Sequence, residues 1–502
     1  MVGYVQSGKT ANFTGVVAKS IDAGYRLIII LTGTVDLLGE QTQRRFDMEL
    51  VGQENILRGI DPHDPDLARD VDYQQDDDWN SRFLKHGFLP STGLSDLIRL
   101  TGHHSDYKSL KAGILALEFE KSDRSKKLNH PVNLTSSNAR VVIVKKNHRV
   151  LQKLAQDLKK AKTPLDEIPT LIIDDESDQA SVNVSNPHKW KANTPERNER
   201  NAINRDISEL LGMLPRAQYV GYTATPFANV FIDPSDSEDI FPTEFIISLE
   251  RPPGYMGVGD FHDLDPAMEG VEKTIANSNE KAHVRSLEAS GDGEEAELAN
   301  ALDAFVLTGA IKLYRHSVDE SLSYRHHTML IHQSVKQAEH RHGHNCVKER
   351  WDQAGFTEPA GAARLKALYE SDFLPVCQAR PDGPIPFSFA DLKPFIGKAI
   401  SRITEASDNP VIMVNGDTEI TEDVSLDARP VWRILLGGTK LSRGFTVEGL
   451  CITYYRQDEA SGYPDADGAL VRLPPWLPGP RPSLYRPQCR RREEEHRSLR
   501  GV

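Results

Sequence analysis

The chain has 502 residues, with 60 Lys and Arg against 73 Asp and Glu and a formal net charge of -13, a length that predicts two or three domains rather than one core. The acid excess does not advertise a nucleic-acid surface, which usually carries a basic surplus, although a motor protein can hold a phosphate backbone in a local groove. No run approaches the roughly 18 apolar residues of a membrane span, and the start lacks the charged and apolar regions of a signal peptide. The four cysteines, Cys346, Cys377, Cys451 and Cys489, form no C-x-x-C pair, so the expectation is a cytoplasmic protein without a disulfide framework or structural zinc.

In chain order, the first signal is Gly3-Tyr4-Val5-Gln6-Ser7-Gly8-Lys9-Thr10, which fits G-x-x-x-x-G-K-[ST] at every position and runs into a helical pattern over 11–20. The glycines let backbone N–H groups turn inward, so Gly3, Gln6, Ser7 and Gly8 form a cradle for the phosphates of ATP. Lys9 then reaches the β- and γ-phosphates and Thr10 ligates Mg2+, with the helix N-terminus adding its positive end. A P-loop follows a buried strand, yet only Met1 and Val2 precede Gly3, so that strand is expected to be missing.

Apolar, β-branched runs follow at 27–31, 141–144, 171–173 and 219–220, and again at 328–331, 411–414 and 434–436. Runs apolar on consecutive residues indicate parallel strands covered on both faces, hence an α/β fold with two sheets. Between the two groups lies a Pro-, Gly- and acid-containing stretch that reads as a linker with an inserted helical element. The predicted organisation is a first lobe at 1–232, a linker at 233–323, a second lobe at 324–456 and a disordered tail at 457–502. The cluster Lys145-Lys146-Asn147-His148-Arg149 is either a basic patch for nucleic acid or a solvated helix start.

The run at 171–173 ends in Asp174-Asp175-Glu176-Ser177-Asp178, a Walker-B arrangement. Here a strand delivers a carboxylate to Mg2+ beside the P-loop, and a neighbouring acid polarises the attacking water. Asp175 is assigned to the metal with Asp174 as the fallback, and Glu176 to the water, so Lys9 and Glu176 are the catalytic pair. Two other clusters carry less. Asp61-Pro62-His63-Asp64-Pro65-Asp66 lacks the strand and lysine of a metal-dependent nuclease, and the histidines of 340–346 have poor spacing for zinc.

Two later motifs resemble those of superfamily 2 helicases. Gly221-Tyr222-Thr223-Ala224-Thr225 is similar to the S/T-A-T motif, which implies that the hydroxyls of Thr223 and Thr225 couple the nucleotide site to the second lobe. Gly437 to Leu450 resembles motif V, which implies that Lys440, Ser442 and Arg443 meet the nucleic-acid backbone and that the loop reaches the ribose. Thr446 stands where an acid is usual, with Glu448 as a substitute for the ribose contact. Together with 33–46 and 145–154, these motifs resemble the Z1 domain family over 3–456, most specifically in the string from Gly3 to Asn12.

That resemblance implies two RecA-like parallel-sheet lobes and a bacterial helicase-like ATPase, often labelled an endonuclease and found near restriction and phage-defence genes. It implies ATP and Mg2+ as cofactors, DNA in preference to RNA as partner, and other defence-operon proteins as further partners. An ATP-gated scaffold that recruits a nuclease is the alternative, and an endonuclease in its own right a third. After Arg456 the composition turns Pro-rich. Read one base later, the codons of 462–477 permit D-T-L-M-Q-M-G-R-W-F-G-Y-R-P-G, which resembles helicase motif VI. A frameshift near 457–461 therefore accounts for the tail, and it predicts a copy with impaired turnover, since arginine fingers supply roughly three to five orders of magnitude.

Overall fold

The computed structural model describes residues 1–5, 7–34, 36–58, 73, 75–87, 96–103, 117–179, 181, 202–230, 240, 242–287, 292–332, 337–405, 408–414, 429–437, 447–456 and 468–472. The first sheet is built from β1 (Leu27–Thr32), β2 (Leu97–Arg99), β3 (Ala139–Lys145), β4 (Thr170–Asp175) and β5 (Ala217–Tyr222), in the order β2-β3-β1-β4-β5. Every pairing in it is parallel. Alternate residues of each strand enter two different cores, as the continuous apolar runs require. On one face Ile28, Ile30, Leu171 and Ile173 pack with Phe13 and Val17 of the helix Lys9–Asp22. On the other, Leu27, Ile29, Leu31 and Ile172 meet Leu151 and Leu154 of the helix His148–Leu158 and Ile207 and Leu210 of the helix Ala202–Met213.

Beneath the P-loop, where a full strand is expected to be missing, Val2 forms isolated bridges rather than a named strand. Val2 forms parallel bridges to Thr223 on one side and Ser248 on the other. Its N–H donates to the Ile247 carbonyl at 2.8 Å, Leu249 N–H donates to the Val2 carbonyl at 2.7 Å, and Gly3 N–H donates to the Thr223 carbonyl at 3.0 Å. The residues entering the loop thus fill a strand position beyond β5. One strand, β5, separates that position from the Walker-B strand β4, and this order together with the second sheet gives two RecA-like lobes.

The second sheet comprises β6 (Val284–Leu287), β7 (His327–His332), β8 (Val411–Val414), β9 (Trp432–Gly437), β10 (Leu450–Tyr455) and β11 (Gly468–Arg472), in the order β6-β11-β10-β7-β9-β8. The central pairs β10·β7, β7·β9 and β8·β9 are parallel, while β11 runs antiparallel to both β10 and β6. Two sequence-derived boundaries shift here. The stretch 233–323 was read as a linker, but β6 belongs to this sheet and the helix Asp292–Val318 is its central packing element, with Ala301, Leu302, Phe305, Val306, Ala310 and Ile311 wholly buried. Its long apolar span has no single polar face, so periodicity alone did not reveal a core helix. The stretch 457–502 was read as disordered, yet 468–472 adds a strand between the edges of β10 and β6, edges whose backbone groups would otherwise lack partners.

Among the described residues, the lobes meet through an apolar contact and an ion pair. Leu38, from the helix Asp36–Phe46 of the first lobe, packs with Ile412, Val414, Val431 and Leu435 of the second. Arg325, at the entry to β7, places Nη1 at 2.6 Å from Asp78 Oδ1 of the first lobe.

Candidate functional site

The P-loop and the acidic end of β4 meet as the motif order requires. Gly8 caps the helix Lys9–Asp22 in the left-handed region at φ 84°, a conformation that costs glycine little and other residues more. This turn brings Lys9 inward. Its side chain is 7% exposed, with Nζ 3.4 Å from the Tyr4 carbonyl and 3.6 Å from Glu176 Oε1. Ser7 donates its N–H to the Tyr4 carbonyl at 3.3 Å, and Thr10 sits half-buried in the first helical turn. Gln6 lies outside the described residues.

The three acids at the end of β4 take three different environments. Asp174 is fully buried and accepts from Lys146 Nζ at 2.9 Å and from the Tyr219 hydroxyl. Lys146 Nζ also donates to the carbonyls of Asp175 at 2.9 Å and Glu176 at 2.6 Å and to Ser181 Oγ at 3.2 Å. Asp174 is therefore committed to an internal pair, which removes it as the fallback metal ligand. The basic-patch reading of 145–149 loses its centre in the same way, since Lys146 is spent within the lobe, Asn147 caps the following helix and His148 Nδ1 lies 2.6 Å from Asp206.

Among the described residues, Asp175 has no such cation at bonding distance. Burial first, and then the neighbouring Glu176 carboxylate, push its carboxyl up to about 7, against the pull of Lys9 and Lys146. A buried acid held up by negative neighbours is a site that a divalent cation relieves, and the hydroxyl and carboxylate oxygens of Thr10 and Asp175 are the hard ligands Mg2+ takes. Glu176 adopts φ 53°, a rare backbone state for a non-glycine residue. Such strain persists only where the surroundings enforce it, and here Lys146 holds the Glu176 carbonyl while the carboxylate faces Lys9.

The fourth acid of the box is Asp178. It accepts from Thr223 Oγ1 at 2.7 Å and from Thr225 Oγ1 at 2.6 Å, and Thr225 N–H donates to Thr223 Oγ1 at 2.9 Å. Both threonines singled out from sequence thus hang on one carboxylate two residues beyond Glu176. Gly221 permits the approach: a Cβ there would stand 2.8 Å from Ser177 Oγ. Tyr222, whose hydroxyl donates to Asn12 Oδ1 at 2.9 Å, ties β5 to the P-loop helix, and burial together with Asp175 holds its phenol well above the usual range. The pairings of Lys146 with Asp174 and of Tyr222 with Asn12 are not written in the motifs, because the partners lie far apart in the chain.

Lys440, Ser442 and Arg443 of the motif-V loop, and Thr446, lie outside the described residues. Glu448 just beyond them has its Oε2 3.1 Å from His326 Nε2. Burial works to raise its carboxyl, but the neighbouring His326 ring and the charges of Arg82 and Arg325 outweigh this and hold it low. Glu448 thus faces His326 within the second lobe, near the charge of Arg82 of the first. In the histidine cluster, Cys346 Sγ lies 3.7 Å from His342 Nε2 and His344 Nε2 lies 3.0 Å from Asn409 Nδ2. Among the described residues no three metal-ligating side chains converge.

Residues 297–463 match the Z1 domain. This Z1 region begins within the helix Asp292–Val318, includes β7 to β10 and contains the motif-V loop. The sequence resemblance extended further, to 3–456. The comparison with curated proteins returned no match. Among solved structures, the chain is similar to S. cerevisiae Dbp5 bound to RNA and ADP BeF3, at 12% identity and a TM-score of 0.35, with 90% of this chain and 69% of that chain covered. Among the described residues, no helix is long and apolar enough to cross a membrane.

Proposed function

We propose that the chain is a helicase-like ATPase of the Z1 type, in which ATP binds at Gly3 to Thr10 between the lobes and hydrolysis is coupled to DNA processing in a bacterial restriction or defence system in the cytoplasm. The observation that carries this reading is the link from Lys9 through Glu176 to Asp178, which both threonines of the S/T-A-T-like motif share. Lys9 would hold the β- and γ-phosphates, Glu176 would orient the attacking water and accept its proton, and the Asp178 pair would pass a change at Glu176 to the end of β5. Thr10 and Asp175 would hold the Mg2+ that accompanies the nucleotide and neutralises phosphate charge. Lys440, Ser442 and Arg443 are proposed as contacts to the DNA backbone.

Turnover in this copy is proposed to be impaired, because the arginines of a motif VI are present only in the shifted reading of 462–477. The test is nucleotide binding and hydrolysis by the 502-residue chain, by Lys9→Ala, and by a version restored to the shifted frame. The expected result is Lys9-dependent ADP binding with weak hydrolysis, and DNA-stimulated hydrolysis regained roughly 1,000-fold or more on restoration. Binding that ignores Lys9→Ala would sink the P-loop reading, and brisk hydrolysis by the chain as it stands would sink the impairment. An ATP-gated scaffold recruiting a nuclease is the second reading, favoured by the net charge of -13. It predicts no translocation by the restored chain.

A further inference from the structure

The linker between the lobes contains a loop built around one ring. Tyr255 donates its hydroxyl to the Val5 carbonyl at 2.7 Å, and its ring centroid lies 5.4 Å from that of Tyr4 at an interplanar angle of 39°. The loop is fixed from behind. Arg251 donates through Nε at 3.1 Å and Nη2 at 2.6 Å to the Tyr255 carbonyl and pairs with Asp260 at 2.7 Å, while Asp260 also accepts from Gly257 N–H at 2.8 Å. At Gly257 a Cβ would stand 3.1 Å from Tyr255 Cε1, so the glycine leaves room for the ring.

What this loop supports is an aromatic face in the open. Tyr4 and Val5 are each 50% exposed, although they follow directly on the buried Gly3 and the Tyr4 carbonyl lies 3.4 Å from Lys9 Nζ. An exposed tyrosine propped by a second ring, beside the amine that would grip the phosphates, has the form of a stacking surface. A nucleotide held by its phosphates at Gly8 and Lys9 carries its base outward from that amine.

We propose that Tyr4, backed by Tyr255, is the platform on which the base of the bound nucleotide stacks, so that loop 251–260 completes the nucleotide site. The proposal rests on the P-loop reading above and extends it from the phosphates to the base. Because every base has a π-face, the platform recognises that a base is present rather than which one. Tyr4 makes the contact and Tyr255 is a positioning residue that holds the Tyr4 ring and the Val5 backbone.

The test compares ADP with inorganic pyrophosphate on the full chain, by calorimetry in Mg2+, for the parent, Tyr4→Ala, Tyr4→Phe, Tyr255→Ala and Lys9→Ala. Stacking on one aromatic is worth roughly a ten- to hundred-fold change in affinity. The expected pattern is an ADP affinity weakened by that factor in Tyr4→Ala and Tyr255→Ala, preserved in Tyr4→Phe, with pyrophosphate binding unchanged in all three. Equal ADP binding by the parent and Tyr4→Ala overturns the platform and leaves the P-loop reading standing. Loss of pyrophosphate binding in Tyr4→Ala also overturns it, by showing that the residue serves the loop rather than the base. Binding of both ligands undiminished by Lys9→Ala overturns the P-loop reading itself, and the platform with it.

Discussion

Asp175→Asn should stabilise the ligand-free protein while disabling its proposed chemistry. The carboxyl is raised from 3.8 to about 7 in the folded chain, so below about pH 4 it is protonated in both states and costs nothing. Between about pH 4 and 7 the unfolded chain ionises it and the folded chain does not, and stability falls through that window, reaching its full loss above about 7. A shift of about three units at roughly 1.4 kcal/mol each sets a ceiling of about 4 kcal/mol, and relaxation of the surroundings around a buried charge reduces this to about 2 kcal/mol. Asparagine keeps an Oδ1 to accept from Glu176 N–H, a bond now 3.1 Å long, so the substitution removes chiefly the charge. At roughly 2–4 °C per kcal/mol for a unit of this size, the variant should melt about 4–8 °C higher at pH 8. The assay is a thermal melt of both proteins from pH 4.5 to 8 without nucleotide or divalent cation. A difference at pH 4.5 as large as that at pH 8, or a variant no more stable at pH 8, would refute the reasoning.

Three further outcomes are expected. Lys146→Met leaves Asp174 buried without its cation and should destabilise the first lobe by about 3–5 kcal/mol in chemical denaturation, whereas a surface lysine would cost less than about 1 kcal/mol. Asp178→Ala frees Thr223 and Thr225, so ADP affinity should hold within about three-fold while DNA-stimulated hydrolysis in the frame-restored chain falls at least ten-fold. Arg325→Ala removes the link to Asp78 at a cost of about 1–2 kcal/mol, and small-angle scattering should register a larger radius of gyration as the lobes part.

The local chemistry was legible along the chain because each part of it is contiguous: a glycine-framed loop before Lys9, an apolar strand ending in Asp175 and Glu176, and a Thr-x-Thr turn after β5. Strand runs buried on both faces announced two parallel sheets for the same reason, since the apolar period is written into adjacent residues. What the order of residues could not decide was partnership across distance. The roles of Asp174 and Asp175 are interchangeable in sequence, and they separate only because Lys146 and Tyr219 converge on the first and leave the second without a cation at bonding distance. Val2 is short for a supporting strand, yet the 247–249 segment bonds its backbone on one side while Thr223, just past β5, bonds Met1 and Gly3 on the other. The helix Asp292–Val318 read as part of a linker, because an element buried all round has no amphipathic signature. Tyr255, some 250 positions from Val5, reaches the P-loop only through a fold that returns the linker to the start of the chain, so the chain's order specified the glycine-framed loop and tertiary packing decided what stands beside it.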